Sequence, residues 1–275
     1  MARNLLTSDL DAAIVFDSAG VRMPRHVRRG GDGRRQRLRR MAGETRRDEV
    51  WRMRDASFSI APGESVAIVG GKGSGREILL RLAAGTLIPD EGDVRRSVPV
   101  IPVIDIARSL QRRLTIRQNV YLIAGLLGMT PAAVGGRLDT IIAFAGVEST
   151  LDKYLGPAPA LVRQKLAWSI AMHTGARAFA IEQVLVVGDR DFRQKCWTRV
   201  DELKADGVTF LLASDSPRQF RRFCDRAILL DNRQVVAQTT VPDAITRLRM
   251  SRRRPTDDPI TPDDDSSPDP TEGSV

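Results

Sequence analysis

The stretch that decides the fold is VAIVGGKGSGREILL, which runs from Val66 to Leu80. Its first four residues form a continuous apolar run, which is typical of a buried strand in a parallel sheet. The next six residues include four glycines, and the apolar run from Ile78 to Ala84 then indicates a helix that stops at Gly85. Glycines let backbone N–H groups turn inward, and a helix N-terminus adds partial positive charge. A strand, a glycine-rich loop and a helix in this order are what phosphate binding needs.

The loop matches part of the phosphate-binding pattern G-x-x-x-x-G-K-[ST]. Gly70 and Gly75 occupy both glycine positions, whereas Arg76 stands at the lysine position and Glu77 at the hydroxyl position. An arginine fork is larger than a lysine ammonium and differently shaped. A carboxylate could bind magnesium, but it also repels phosphate. From the loop alone, nucleotide binding and a tight glycine turn without a ligand stay equally open. The candidate cofactor-binding residues are Gly70, Gly71, Lys72, Gly73, Ser74, Gly75, Arg76 and Glu77.

Strand and helix patterns alternate outward from this loop. Apolar strands are predicted at residues 178–181, 208–213 and 227–230, and helices at 162–173 and 192–204. Alternation of this kind indicates an α/β fold with a mainly parallel sheet.

Charge is distributed unevenly along the chain. The 275 residues carry 43 Lys+Arg and 34 Asp+Glu, a net charge of +9. Residues 22–54 hold 13 arginines and four acids, whereas residues 255–275 hold seven acids and no base. The basic block is a candidate for contact with an anionic membrane surface or with a transporter, and a solvated surface segment is the alternative. No aromatic residue that could stack on bases occurs from Val21 to Val50, so nucleic acid is not a predicted partner.

Cysteine, histidine and hydropathy narrow the class of protein further. The two cysteines cannot frame a disulfide scaffold in a chain of this length. The two histidines and scattered cysteines argue against a His/Cys metal site. The longest apolar run, Val120 to Met129, is too short to span a bilayer. A soluble, cytoplasmic protein is therefore expected.

Several further segments carry a resemblance to a known family. They are Asp55–Glu64, Leu79–Val94, Leu114–Leu122, the Val187-Gly188-Asp189 run with Phe192 and Lys195, and Phe223–Arg226. In this order and spacing, they resemble the nucleotide-binding domain of ABC transporters, in the branch that exports polysaccharides, teichoic acids and O-antigen. The resemblance covers roughly residues 12–245.

The resemblance implies a fold and a domain plan. The expected fold is α/β, a P-loop NTPase-type, mainly parallel sheet with flanking helices, an antiparallel β portion and a small helical subdomain. One ABC-type domain is expected over residues 1–250, with a basic insertion at 22–47 and the helical subdomain at about 107–170. A disordered, acidic, proline-rich tail is expected at 251–275.

The family's catalytic positions fall on residues that do not suit the family's chemistry. The Asp-Glu pair after an apolar strand falls on Glu182 and Gln183, and Gln183 cannot take a proton from water. The switch histidine falls on Asp215, whose charge would face the γ-phosphate. Glu182, Gln183 and Asp215 are the degenerate equivalents of catalytic residues, and Glu77 and Glu182 are the candidate magnesium ligands.

Two further family positions are also changed. The signature Ser and Gly fall on Ala160 and Leu161, so the hydroxyl is lost and bulk is added. The adenine-stacking aromatic falls near Val21, with Trp51 as a substitute.

Together these residues imply a degenerate ATP-binding-type subunit of a polysaccharide-export ABC transporter. The resemblance implies ATP and Mg²⁺ as cofactors and a transmembrane permease as partner. It also implies pairing with itself or with another nucleotide-binding subunit, on the inner face of the cell membrane. One alternative is an active ATPase in which Arg76 and Glu182 substitute for the usual residues. Another is a scaffold or regulator without a role in transport.

Overall fold

A computed structural model describes residues 12–24, 49–182 and 189–253, with side chains described as far as Met250. Gln183 and nearly all of the predicted basic insertion and acidic tail lie outside these ranges, and residues 251–253 of the predicted tail belong to a helix. The strands are β1 (Ile14–Pro24), β2 (Glu49–Ile60), β3 (Ser65–Gly70), β4 (Glu91–Arg96), β5 (Val100–Val103), β6 (Ala178–Glu182), β7 (Thr209–Ala213), β8 (Arg226–Asp231) and β9 (Gln234–Thr239). The helices are α1 (Arg76–Ala83), α2 (Ile116–Leu126), α3 (Pro131–Gly135), α4 (Leu138–Ala145), α5 (Ala160–Met172), α6 (Arg190–Ala205), α7 (Pro217–Phe223) and α8 (Val241–Arg253). Short 3₁₀ turns lie at Ile106–Ser109 and Glu148–Thr150.

The main sheet has six strands in the order β5-β6-β7-β3-β8-β9. The first five run parallel and β9 pairs antiparallel with β8. All six residues of β3 are buried in the middle of the sheet. The mainly parallel α/β fold predicted from the sequence is therefore confirmed.

A second sheet supplies the antiparallel portion. β1 lies between β2 and β4 and pairs antiparallel with both. Its inner side chains form one hydrophobic cluster with α1 and one face of the main sheet, and Phe16 stacks on Phe58 with ring centroids 4.4 Å apart. Burial of apolar surface therefore fixes the second sheet over the start of α1.

The helices between β5 and β6 have a hydrophobic cluster of their own. Side chains of α2, α3, α4 and the middle of α5 form it, including Ile123, Ile141 and Leu166. The other face of α5 contributes Trp168 and Met172 to the cluster on the main sheet. α5 thus joins the helical region, for which the sequence predicted a subdomain, to the sheet.

In the ranges described, no helix is both long enough and apolar enough to cross a bilayer. Both cysteines are free thiols, Cys196 buried and Cys224 half-buried. This agrees with the expectation that the chain has no disulfide framework.

Candidate functional site around the glycine-rich loop

The glycine-rich loop connects the end of β3 to the start of α1. Gly73 and Gly75 have φ angles of +80° and +100°, a region that L side chains rarely adopt. A Cβ atom on Gly75 would lie 2.7 Å from the Met53 Cε atom and 2.9 Å from the Arg52 carbonyl oxygen. Glycine is therefore required at position 75, because the second sheet packs directly against the first turn of α1.

Ser74 lies beneath the loop rather than on its surface. The residue is buried, and its Oγ atom has no hydrogen-bond partner among the residues that the structure describes. A Cβ atom on Gly70 would come within 2.3 Å of that oxygen, so the serine hydroxyl fills the space under the first glycine. The glycine at position 70 is thus explained by packing within the loop.

Arg76, at the lysine position, is tied to the neighbouring strand. Its Nη1 atom donates to the Ser214 carbonyl oxygen at 2.8 Å, and its Nη2 atom donates to Asp215 Oδ1 at 2.8 Å. The Arg76 side chain is only 18% exposed, whereas Asp215 is 64% exposed. The two residues meet because β3 and β7 are adjacent parallel strands and both residues follow the carboxyl ends of these strands. Two departures from the family pattern thus form one ion pair.

Sequence reasoning did not find this contact. It treated Arg76 and Asp215 as two separate losses of family residues. The available signal was that a basic residue stands at one motif position and an acidic residue at the other, so the two could pair.

Glu77, at the hydroxyl position, is paired along its own helix. Its carboxylate accepts from Arg81 Nε at 2.8 Å in an i,i+4 ion pair on the exposed face of α1. Such a pair is typical of a solvent-facing helix surface and stabilises it by about 0.3–0.5 kcal/mol.

Glu182 lies at the carboxyl end of β6, directly beside Ala213 of β7. Burial raises the pKa of its carboxyl, and the nearby carboxylates of Glu77 and Asp105 raise it further. Among the described residues, no three His, Cys, Asp or Glu side chains form a group that could hold a metal ion.

These contacts do not fit a magnesium–nucleotide complex at the loop. The charged fork of Arg76 is already held by Asp215 and a carbonyl oxygen. Of the two candidate magnesium ligands, Glu77 is paired with Arg81, and Glu182 lies in a partly buried position near other carboxylates. A phosphate chain in this position would also meet the Asp215 carboxylate.

A cleft of about 360 Å³ opens beside the loop. Gly71 and Gly73 form part of its wall, and the basic side chains of Lys72, Arg233 and Arg247 also line it. The β8–β9 turn and α8 thus bring positive charge to the outer side of the glycines.

The two candidate positions for an adenine-stacking aromatic are both occupied by other contacts. Val21 is 2% exposed and belongs to the hydrophobic cluster under β1, so it cannot stack on a ligand. The Arg22 guanidinium lies over the Trp51 ring, 4.1 Å from its centroid, and the Arg54 guanidinium lies 5.6 Å from the same centroid. One face of the tryptophan is therefore used by a cation–π contact within the protein.

The signature positions lie at the first turn of α5. Ala160 and Leu161 are both exposed, Leu161 by 41%, and the N-cap residue Pro159 makes no side-chain cap hydrogen bond. The helix start thus presents an apolar side chain to solvent where the family has a hydroxyl and a glycine.

The Asp189 motif connects two helices. Asp189 caps α6 by accepting from the Phe192 amide at 2.8 Å, and its other oxygen accepts from Lys165 Nζ on α5 at 2.5 Å. The hydrogen bond from Lys165 lowers the pKa of Asp189 to about 2, with a further contribution from the Phe192 amide. This part of the motif therefore has a structural role.

Comparison with known proteins identifies the same family as these motifs do. The family described as ABC transporter matches residues 53–164. The chain is 33% identical over 181 residues to the O-antigen export system ATP-binding protein RfbB of Klebsiella pneumoniae, covering 66% of this chain and 74% of that protein. It is 32% identical over 186 residues to the ABC transporter protein AbcA of Aeromonas salmonicida, covering 68% and 60%.

A third relative is the teichoic acids export ATP-binding protein TagH of Listeria innocua. The chain is 30% identical to it over 185 residues, covering 67% of this chain and 55% of that protein. The match thus spans less than two thirds of the length of the AbcA and TagH proteins.

Solved structures share the fold. An ATP-binding cassette solved as a dimer in a post-hydrolysis state, bound to ADP and Pi, superposes with a TM-score of 0.65 at 17% identity, covering 83% of this chain and 98% of that chain. An ATP binding subunit of an ABC transporter superposes with a TM-score of 0.63 at 20% identity, covering 88% and 95%.

Proposed function

Because the chain belongs to the ABC transporter family, in the branch of O-antigen and teichoic acid export ATP-binding proteins, we propose that it is a polysaccharide-exporter subunit without ATP hydrolysis. It would act with a transmembrane permease at the inner face of the membrane. A second nucleotide-binding subunit, identical or intact, would complete the assembly. The export functions of the relatives support the transport role, and the contacts at the glycine-rich loop support the loss of catalysis.

The Arg76–Asp215 ion pair is the observation that carries this proposal. To reach a phosphate, the arginine would have to leave both the Asp215 carboxylate and the Ser214 carbonyl oxygen. Its departure would then leave an unpaired carboxylate facing the phosphates. Charge-assisted hydrogen bonds are among the stronger polar contacts in proteins, so the pair favours the site without nucleotide.

The expected fall in the rate of phosphoryl transfer also favours loss of hydrolysis. Phosphoryl transfer depends almost wholly on positioning and electrostatic stabilisation. Removing one stabilising donor typically lowers the rate by about 10²–10³. Here the lysine, the hydroxyl, the switch histidine, the signature pair and the catalytic base are all replaced. Such effects are not additive, but no single described contact replaces all of these groups.

The helical region is the proposed docking side for the permease. Tyr121 and Leu126 of α2 are exposed, and Arg108 has an 84% exposed side chain. The segment from Arg108 to Arg113 adds positive charge at this end of the helices. Exposed apolar side chains with basic residues in the same region suit a contact with a permease beside an anionic membrane.

The proposal predicts that purified full-length protein does not turn over ATP. We expect MgATP to leave the melting temperature unchanged, because it does not bind. A ligand that did bind would, at 100 times its Kd, stabilise the fold by about 2.7 kcal/mol. Calorimetric titration and a steady-state phosphate-release assay measure binding and turnover. The Glu182→Gln variant controls for contaminating ATPases, because their activity would not change. Magnesium-dependent hydrolysis that this substitution abolishes would overturn the proposal and favour the active-enzyme alternative.

A further inference from the structure

A second cleft, remote from the glycine-rich loop in sequence, lies between α4, the end of α5 and α6. Its volume is about 610 Å³, against about 360 Å³ for the cleft beside the loop. This is within the size range of small-molecule sites in proteins. We propose that this cleft binds a small, soluble, phosphate-bearing compound.

Positive charge surrounds the cleft. Arg137, Lys195 and Arg199 line it, and Glu202 is the one acidic residue in its lining. Glu202 is already engaged, because Arg199 Nη1 donates to its Oε2 atom at 2.9 Å. The lining therefore keeps a net positive charge for an anion.

The two arginines are held in place by the end of α5. Arg137 Nη1 donates to the His173 carbonyl oxygen at 2.9 Å, and Arg199 Nε donates to the Met172 carbonyl oxygen at 3.3 Å. A Cβ atom on Gly175 would lie 2.6 Å from Arg137 Nη1, so glycine at 175 leaves room for the guanidinium. A guanidinium has five N–H donors, so these bonds leave others for a ligand. Anchoring reduces the conformational entropy that would be lost on binding.

Arginine at a helix C-terminus is also a common helix cap, but that role does not account for Lys195. Lys195 makes no ion pair or hydrogen bond within the part of the chain that the structure describes, and it lies on the cleft. It belongs to the same motif as Asp189 and Phe192, whose packing roles are explained above. Lys195 beside two anchored arginines therefore offers a third cationic group to a phosphate.

Aromatic rings line the inner part of the cleft. Phe144 meets His173 edge to face with centroids 5.0 Å apart. Burial lowers the pKa of His173, which favours the neutral ring, and Nδ1 donates to the Ser169 carbonyl oxygen at 2.7 Å. These two side chains thus contribute to the lining of the cleft without adding further charge.

Pyrophosphate is the probe for this site. We expect it to raise the melting temperature of the full chain, with an affinity that falls as salt is added. The Lys195→Glu substitution should weaken binding by about tenfold or more, while Lys195→Arg should retain it. Lys153→Glu, an equal charge change at another exposed lysine, is the matched control and should leave binding unchanged.

Three results would overturn the proposal. One is no binding of pyrophosphate at millimolar concentration. Another is binding that Lys72→Glu abolishes and Lys195→Glu does not, which would place the anion beside the glycine-rich loop. The third is binding only to vesicles containing phosphatidylglycerol, which would make the cleft a lipid contact. None of these results depends on whether the chain hydrolyses ATP.

Discussion

At the scale of single residues, Arg76 and Asp215 depart from the family pattern together, because each is the ion-pair partner of the other. Asp215 alone would leave a negative charge at the phosphate position, whereas in the pair it is neutralised by Arg76 at 2.8 Å. The Arg76 side chain is mostly buried, and an unpaired charge there would be costly. The pair therefore keeps the strand ends stable without a nucleotide.

Restoring the family residues should restore nucleotide binding. We expect the triple variant Arg76→Lys, Glu77→Ser, Asp215→His to bind MgATP at least about tenfold more tightly than the wild type, a difference of about 1.4 kcal/mol. The physical reason is that a compact ammonium, a hydroxyl and an imidazole replace a tied guanidinium and two carboxylates. Calorimetric titration measures the affinity.

The single variant Asp215→His is the control for this experiment. It removes the partner of Arg76 and leaves the arginine in place, so it should gain less affinity than the triple variant. A wild-type protein that binds MgATP as tightly as the triple variant would contradict the role given to the ion pair.

At the scale of elements, the start of α6 depends on Asp189. This residue caps the helix and pairs with Lys165 of α5, so one side chain fixes two helices. The Asp-x-x-Phe spacing was taken from the sequence as a family motif, but its partner on α5 was not predicted. Lys165 is 24 residues away in the chain, and only the packing of α5 against α6 brings it near.

The Asp189 pair should make stability depend on pH in acid. Its pKa is lowered from 3.8 to about 2 in the folded protein. A lowered carboxylate pKa stabilises the fold above the unfolded value, and this contribution is lost as the pH falls from about 4 towards 2. We therefore expect Asp189→Asn to lower the melting temperature at pH 7, and the difference from wild type to shrink below pH 4.

Thermal unfolding across this pH range measures the effect. The Asp191→Asn variant is the matched control, because Asp191 is an exposed residue in the first turn of the same helix. A wild-type advantage of equal size at pH 7 and pH 3 would contradict the assignment.

At the scale of the whole molecule, Phe144 joins two hydrophobic clusters. It lies on α4, whose other apolar side chains pack within the helical region, but its own ring packs against the cluster on the main sheet. There it meets Phe192 of α6 edge to face at 5.7 Å. The orientation of the helical region on the sheet thus depends partly on this ring.

Removing the ring should weaken this connection. We expect Phe144→Ala to lower the free energy of unfolding by about 2 kcal/mol, less than the 3–5 kcal/mol of a fully buried phenylalanine because Phe144 is half-buried. Urea unfolding measures the change, and Phe144→Leu, which keeps most of the apolar contact, should lose less. An unchanged midpoint for Phe144→Ala would show that other contacts hold the two clusters together.

The sequence by itself determined the mainly parallel α/β class, several of its strands and helices, and the family. Strand and helix periodicity and the glycines of residues 70–75 are local properties that a linear pattern records. It also identified each unsuitable residue at the glycine-rich loop.

Only the tertiary structure decided how these residues meet. Arg76 and Asp215 are 139 residues apart and come together because β3 and β7 are neighbours in a parallel sheet. Arg137, His173 and Lys195 likewise share a cleft only because three helices converge there. Contacts between distant segments depend on packing, and no local pattern encodes them.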